Sequence, residues 1–363
     1  MLKKSEIKRI LVLRYRFIGD TVLTIPFIQN LKENFPDSQI DVLVSPNSGE
    51  LLENNPDINK VIYFDNTKFH KYENNQPGNK KQLVETYNSF FACAKGLRNK
   101  RYDLAFVLKR SFSSALLAAL AGIKHRIGFN TEFRSFLLTK DVKYDKNLHE
   151  LDNFLNNLKI LEIEPKKYTP KIFCTREEDL KMSEALSELD PFKPKILIHA
   201  TSAHPYKMWS TRYFAKLMDT LFEKFGAQFV FTGAEIDKSI YRKILNWSKY
   251  KSKLKFINLC GVTSIRECFS IYKKLDMAIC VDSGNAHIAA ASSIPTYVIY
   301  GPTKPEKWLP VGEKVFPLRL NQLLPCQPCD VKISCSHISC MKLLTPEYVF
   351  GNLTGMNKKG VLR

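Results

Sequence analysis

The segment Asp282-Ser283-Gly284-Asn285 has the residue types and spacing most suited to chemistry in this sequence. It separates a short apolar run, 277–281, from a run of small residues, 286–292, which predicts a strand, a tight polar turn and a helix. The first N–H groups of a helix lack internal acceptors and lie at its positive end, so such a turn directs donors at an anion. Ser283 adds a hydroxyl, and Gly284 lets a ligand approach the backbone closely. The pattern indicates a nucleoside-diphosphate site; the alternative is an ordinary strand-to-helix turn.

Two further polar loops follow predicted strands in the same half of the chain. After strand 196–199 come the hydroxyls of Thr201 and Ser202 and then Lys207, a set that suits phosphate oxygens. The alternative for Lys207 is a solvated loop side chain. After strand 229–232 comes Glu235, which could hold ribose hydroxyls or merely complement the start of a helix.

Asp20 is the residue of the N-terminal half with the clearest chemical interest. It ends loop 15–20, between a predicted strand at 8–14 and a predicted helix at 21–34. One interpretation is a helix N-cap, a position at which Asp is favoured. The other is a general base that accepts the proton of an acceptor hydroxyl. The residues alone favour the cap.

Strands alternate with helices along the whole chain, in two runs that each open with an apolar strand. This predicts an α/β fold of two doubly wound, Rossmann-like parallel-sheet domains facing across a cleft, where a ligand would bind. The polar stretch 65–82 is predicted to be an exposed loop. The predicted division is an N-terminal domain at 1–175, a linker at 176–194, a C-terminal domain at 195–345 and a tail at 346–363.

The composition is that of a soluble globular protein: 363 residues, 44% hydrophobic and 25% charged. Residues 1–179 contain 29 basic and 22 acidic side chains and the remainder 26 and 14, so the net charge of +19 belongs to the whole surface. Such a surface predicts nucleic acid, an acidic membrane face or phosphorylated substrates as partners, unless the source organism is simply Lys-rich. No secretory signal or spanning segment is recognisable, so we expect a cytoplasmic protein, at most peripheral to a membrane.

Taken together, these motifs resemble the ADP-heptose:lipopolysaccharide heptosyltransferases, glycosyltransferase family 9, which have the two-domain GT-B fold. The resemblance covers nearly the whole chain and rests on IGDTVLTIP, RIGF, IHATSAHPYKMWS, FTGAE and VDSGNAHIAAASSIPTYVIYGPTKP. It implies an inverting transfer of a heptose, or a related sugar, from a nucleotide diphosphate to the lipopolysaccharide inner core. The N-terminal domain would bind the anionic lipid A–core acceptor at the cytoplasmic face of the inner membrane, and the C-terminal domain would bind the donor.

The resemblance also implies roles for individual residues. Asp20 would be the general base, which reverses the preference for a cap. No metal or other cofactor would be needed, because a lysine, hydroxyls and a helix N-terminus can stabilise the charge of the leaving group. The donor is expected to be ADP-heptose, although the sequence does not separate adenine from uridine or heptose from hexose. The donor-binding residues would be Thr201, Ser202, Lys207, Glu235, Asp282, Ser283, Gly284 and His287, and the candidate acceptor contacts are Arg16, Lys109, Arg110 and Arg134.

His287 and the C-terminal cysteines have other interpretations. By itself, His287 would more often be a packed helix residue than a ligand. Cys326, Cys329, Cys335 and Cys340 could form a structural zinc site, a disulfide pair or plain thiols, and none is expected at the active site.

Two other function classes compete with the transferase. A GT-B-shaped nucleotide-sugar epimerase would need further acid–base residues, which the sequence does not reveal. A nucleic-acid-binding protein would need a basic stripe interleaved with exposed aromatics, whereas Trp209 and Trp308 fall in the predicted donor loops.

Overall fold

The computed structural model describes residues 4–65, 80–329 and 335–356. The chain divides into two compact units, Met1–Phe173 and Cys174–Arg363. Each unit contains a six-stranded sheet in which every strand pair is parallel. The predicted α/β class with two doubly wound parallel sheets is confirmed.

The first unit is built on a sheet of order β3-β2-β1-β4-β5-β6. Its central strands are apolar because helices cover both faces; Leu11, Val12 and Leu13 are fully buried. The order reverses between β1 and β4, which makes their carboxyl ends the switch point of the sheet. The strands are β1 Arg9–Leu13, β2 Gln39–Val44, β3 Lys60–Tyr63, β4 Leu104–Val107, β5 His125–Phe129 and β6 Lys140–Val142, and the helices are Ile18–Asn34, Pro46–Gly49, Lys80–Asn99, Phe112–Leu120 and Glu150–Asn156.

The second unit repeats this strand order as β9-β8-β7-β10-β11-β12, with its switch point between β7 and β10. Ile198, Phe229 and Ile279 are fully buried in the core cluster on one face of the sheet, and Leu197 and Val230 are fully buried on the other face. The strands are β7 Lys195–His199, β8 Gln228–Phe231, β9 Phe256–Asn258, β10 Met277–Val281, β11 Thr296–Ile299 and β12 Val315–Leu318, and the helices are Arg176–Ala185, Thr211–Phe225, Lys238–Trp247, Ile265–Tyr272, Gly284–Ala291, Pro305–Trp308, Ser339–Lys342 and Pro346–Met356.

The segments predicted as linker and tail lie in the second unit. Helix Arg176–Ala185 packs against helix Ile265–Tyr272, with Arg266 Nη2 2.7 Å from Glu178 Oε1. Helix Pro346–Met356 places Val349 and Leu353 in the core. These segments are held by buried apolar and ionic contacts, which a composition rich in Pro and Lys does not indicate.

The predicted loop 65–82 lies mostly outside the described residues, and helix Lys80–Asn99 begins within it. Within the described ranges, no helix combines the length and the apolar character that crossing a bilayer requires.

Candidate active site

The turn after β10 lies at the switch point of the second sheet. Ser283 is the N-cap of helix Gly284–Ala291, but its hydroxyl makes no capping hydrogen bond. Its Oγ atom is buried and has no hydrogen-bond partner among the described residues. Leaving a buried polar group unsatisfied costs about 1–3 kcal/mol. A ligand oxygen at the positive end of this helix would satisfy it.

Asp282 connects the loops that follow three neighbouring strands. Its Oδ2 atom lies 2.7 Å from Lys207 Nζ and accepts a hydrogen bond from Thr303 Oγ1 at 2.6 Å. Its carbonyl accepts a hydrogen bond from Ser202 Oγ at 3.3 Å. Both charged side chains are largely buried, with exposed fractions of 17% for Lys207 and 8% for Asp282. The structure therefore brings Ser202, Lys207 and Asp282 together, as the sequence predicts.

A buried hydrogen-bond network holds Asn285, the last residue of this turn. His199 Nδ1 faces the carbonyl of Thr232 at 3.2 Å, so we assign the ring proton to Nδ1. His199 Nε2 then accepts a hydrogen bond from Asn285 Nδ2 at 3.3 Å, and Asn285 Oδ1 accepts one from the Tyr272 hydroxyl at 2.8 Å. Burial lowers the pKa of His199 to about 4, so the ring is neutral near pH 7 and able to accept.

Neither His199 nor Asn285 has a role that the sequence predicts. They are 86 residues apart in the chain, and only the pairing of β7 with β10 makes them neighbours. The only sequence feature that could have indicated a role is their position, His199 at the end of a predicted strand and Asn285 in a polar turn.

Glu235 lies after β8, two strands away from the Ser283 turn, or about 10 Å at ordinary strand spacing. Its side chain is exposed and pairs with Lys238 at 2.8 Å. Gly261, which no sequence motif marks, has a φ of +72°, and a Cβ there would lie 2.9 Å from the Glu235 Cα. Only glycine permits this conformation and this close backbone approach.

The other predicted donor residues lie at the same edge. Thr201 is buried two residues after the end of β7, and Gly284 is the first residue of helix Gly284–Ala291. His287 is buried within that helix.

In the first unit, Asp20 lies at the corresponding switch point. Helix Ile18–Asn34 begins earlier than predicted and Phe17 is its N-cap, so the interpretation of Asp20 as the cap is wrong. Asp20 Oδ2 lies instead 2.6 Å from Arg14 Nη2, and both side chains are less than one-tenth exposed. Arg14 also approaches Glu150 at 4.0 Å, and its buried Nε has no hydrogen-bond partner among the described residues. The ion pair with the Arg14 guanidinium fixes the position of the Asp20 carboxylate.

The predicted acceptor cations divide into two groups. Arg16 is exposed beside the Phe17 ring, Arg110 is half-buried over Tyr144, and Lys109 is buried with Nζ 4.3 Å from the centre of the Tyr15 ring. These three lie at the carboxyl edge of the sheet.

Arg134 does not belong to this set. It is fully buried, and its guanidinium donates to the carbonyls of Phe129 and Ser111, both at 2.8 Å. Burial lowers its pKa to about 10. Arg134 joins the loops after β4 and β5 and is not accessible to a ligand, so the prediction that it contacts the acceptor is wrong.

The C-terminal cysteines are all free thiols. Within the described ranges there is no group of three or more His, Cys, Asp or Glu side chains placed to hold a metal ion. Burial raises the pKa of Cys340 to about 11.

Two doubly wound units of identical strand order, each with polar side chains at its switch point, define a protein of the GT-B class. The chain belongs to glycosyltransferase family 9, because the sequence profile of "Glycosyltransferase family 9 (heptosyltransferase)" matches residues 90–337. It is therefore a glycosyltransferase, and the epimerase alternative is set aside.

Similar proteins agree with this assignment. The chain is 29% identical over 330 residues to lipooligosaccharide heptosyltransferase 2 of Haemophilus ducreyi, covering 86% of this chain and 88% of the relative. The fold is shared with the family 9 glycosyl transferase of Veillonella parvula (TM-score 0.83, 20% identity, 98% of each chain). It is also shared with E. coli ADP-heptose lipopolysaccharide heptosyltransferase II (TM-score 0.76, 23% identity, 96% of this chain and 98% of that one).

Proposed function

We propose that this glycosyltransferase moves a heptose from ADP-heptose to a hydroxyl of the lipopolysaccharide inner core, with inversion at the anomeric carbon. The names of the relatives support the sugar, and the name of the E. coli protein supports the adenine nucleotide. The acceptor is anionic and lipid-linked, so the enzyme would act as a peripheral protein at the cytoplasmic face of the inner membrane.

The observation that best supports a diphosphate ligand is the buried, unpartnered Ser283 hydroxyl at the start of a helix. Lys207 and the hydroxyls of Thr201 and Ser202 come from the adjacent strand end. These groups would bind the diphosphate oxygens and stabilise the negative charge that grows as the sugar–phosphate bond breaks. Glu235 would bind the ribose. We propose that this set needs no metal ion.

Asp20 would act as the general base. The acceptor hydroxyl loses its proton to Asp20 while its oxygen attacks the anomeric carbon from the face opposite the diphosphate. The bond between the anomeric carbon and the diphosphate breaks, and its electron pair leaves with ADP. Arg14 would hold the carboxylate in position, with Arg16, Lys109 and Arg110 near the acceptor phosphates.

The test is transfer to a heptose-deficient core acceptor, followed by mass spectrometry. Wild-type enzyme should add one heptose from ADP-heptose, also in the presence of EDTA, and should use UDP-hexoses poorly. Asp20→Asn should abolish transfer and keep ADP binding, whereas the exposed Asp37→Asn should remain active. Full activity of Asp20→Asn, or transfer from UDP-hexoses alone, would contradict the proposal.

A further inference from the structure

Among the residues that the structure describes, four exposed phenylalanines lie at the carboxyl edge of the first sheet: Phe17, Phe112, Phe133 and Phe136, which we call the aromatic edge. Their exposed fractions are 49%, 37%, 97% and 74%. They follow β1, β4 and β5, which are neighbours in a parallel sheet, so their loops share one edge. The rings of Phe112 and Phe136 are 6.1 Å apart. One exposed phenylalanine needs no explanation, whereas several on one edge indicate an interaction surface.

The loop that presents Phe133 is firmly built. Glu132 and Phe133 both have a φ of +53°, a left-handed conformation that is unfavourable for residues with a side chain. Arg134 fixes the loop from inside through its hydrogen bonds to Phe129 and Ser111. Glu132 Oε2 accepts the backbone N–H of Phe112 at 2.7 Å. The surrounding contacts thus maintain a strained turn whose aromatic side chain is almost entirely in solvent.

Basic side chains lie at the same edge of the sheet as the aromatic edge. Arg16 is exposed next to Phe17, Arg110 is half-buried after β4, and Lys143 is exposed directly after β6. The carboxylates of Asp20 and Glu150 are buried beside Arg14, and the exposed Glu132, whose Oε2 accepts the Phe112 N–H, is outnumbered by these three cations. Apolar rings beside Arg and Lys match the boundary between acyl chains and anionic headgroups.

We propose that the aromatic edge binds an anionic bilayer, with Phe133 and Phe136 entering the acyl-chain boundary and Arg16, Arg110 and Lys143 contacting lipid phosphates. The inference rests on the proposed function in one respect, because a lipid-linked acceptor would be presented to Asp20 from this surface. Asp20 and the aromatic edge both follow strands next to the same switch point.

Vesicle flotation with the full chain tests the surface. Wild type should bind vesicles that contain phosphatidylglycerol and bind pure phosphatidylcholine less, with an affinity that falls as salt is raised. The double variant Phe133→Ser/Phe136→Ser should bind at least about tenfold more weakly, because it lacks the two rings whose transfer from water into the bilayer favours binding. Phe192→Ser is the matched control, since Phe192 is 96% exposed but belongs to the second unit.

An unchanged affinity of the double variant, an equal loss in the Phe192→Ser control, or no vesicle binding by wild type would overturn the inference. Concentration-dependent self-association that the double variant abolishes, without vesicle binding, would assign the edge to a second copy and also overturn it. Transfer to a water-soluble core oligosaccharide separates this inference from the proposed function. The double variant should keep that activity, and Asp20→Asn should lose it. Vesicle binding is measured without any transfer reaction, so its result does not depend on the proposed function.

Discussion

Replacing Ser283 by alanine should have opposite effects on the stability of the free protein and on its affinity for ADP. The hydroxyl is buried without a hydrogen-bond partner among the described residues, so its removal relieves a desolvation cost of about 1–3 kcal/mol and breaks no hydrogen bond there. A gain of 1 kcal/mol raises Tm by about 2–4 °C for a unit of this size. The affinity for ADP should fall, because a hydrogen bond to a charged group contributes about 1.5–3 kcal/mol, or roughly 10- to 150-fold in Kd.

Ser264→Ala is the matched control for this experiment. Ser264 is also an N-cap in the second unit, but its hydroxyl accepts the Glu267 N–H at 3.2 Å within a capping box. Its loss should lower stability by about 1 kcal/mol and leave ADP binding unchanged. Calorimetric unfolding and isothermal titration with ADP measure both quantities. The reasoning is refuted if Ser283→Ala lowers stability as Ser264→Ala does, or if it binds ADP as tightly as wild type.

Three further changes have defined outcomes. Asp20→Asn should reduce the transfer rate by orders of magnitude with little change in the Kd for ADP; a parallel loss of ADP binding would contradict the role as a base. Gly261→Ala should lower the free energy of unfolding by about 2 kcal/mol or more, because of its φ of +72° and the contact with Glu235, whereas Gly96→Ala, which meets no atom within 4 Å in its helix, should raise it by up to about 1 kcal/mol. His199 has a folded-state pKa of about 4 against 6.5 in the unfolded chain, so its stabilising contribution is complete above pH 6.5 and falls as pH drops towards 4, by about 3 kcal/mol in all. Denaturant unfolding between pH 7 and pH 4.5 should show a smaller pH dependence for His199→Asn than for wild type, and equal slopes would refute this assignment.

The sequence predicts most of the fold because the interior strands of a parallel sheet are covered on both faces and therefore form continuous apolar runs. β6 and β12, the last strand of each sheet along the chain, do not have such an apolar run. β6 is only three residues long and its first two residues, Lys140 and Asp141, are exposed, while β12 contains Pro317, which a sheet tolerates only at an edge. In these two edge strands, exposed polar residues or a proline interrupt the apolar run by which a strand is recognised.

The candidate site is predictable only where function leaves a local pattern. The Ser283 turn is a contiguous strand, turn and helix, so the sequence predicts this local structure directly. Arg134 could not be assigned from a local pattern, because the carbonyls to which it donates lie up to 27 residues away in the chain. From the sequence alone, this arginine could equally contact solvent, a ligand or the core. The His199–Asn285 contact depends in the same way on strand order.

The ion pair between Lys207 and Asp282 has a consequence for how tightly a phosphate can be bound. A free lysine side chain loses up to about 2 kcal/mol of rotamer entropy when it is fixed. In this protein the carboxylate immobilises the ammonium at 2.7 Å during folding, before any nucleotide arrives. The proposed donor site is thus preorganised, and Asp282 already balances the charge of Lys207 before a ligand binds. A phosphate should therefore gain less from Lys207 than from an unpaired lysine, and tight binding should require a diphosphate that also reaches the start of helix Gly284–Ala291.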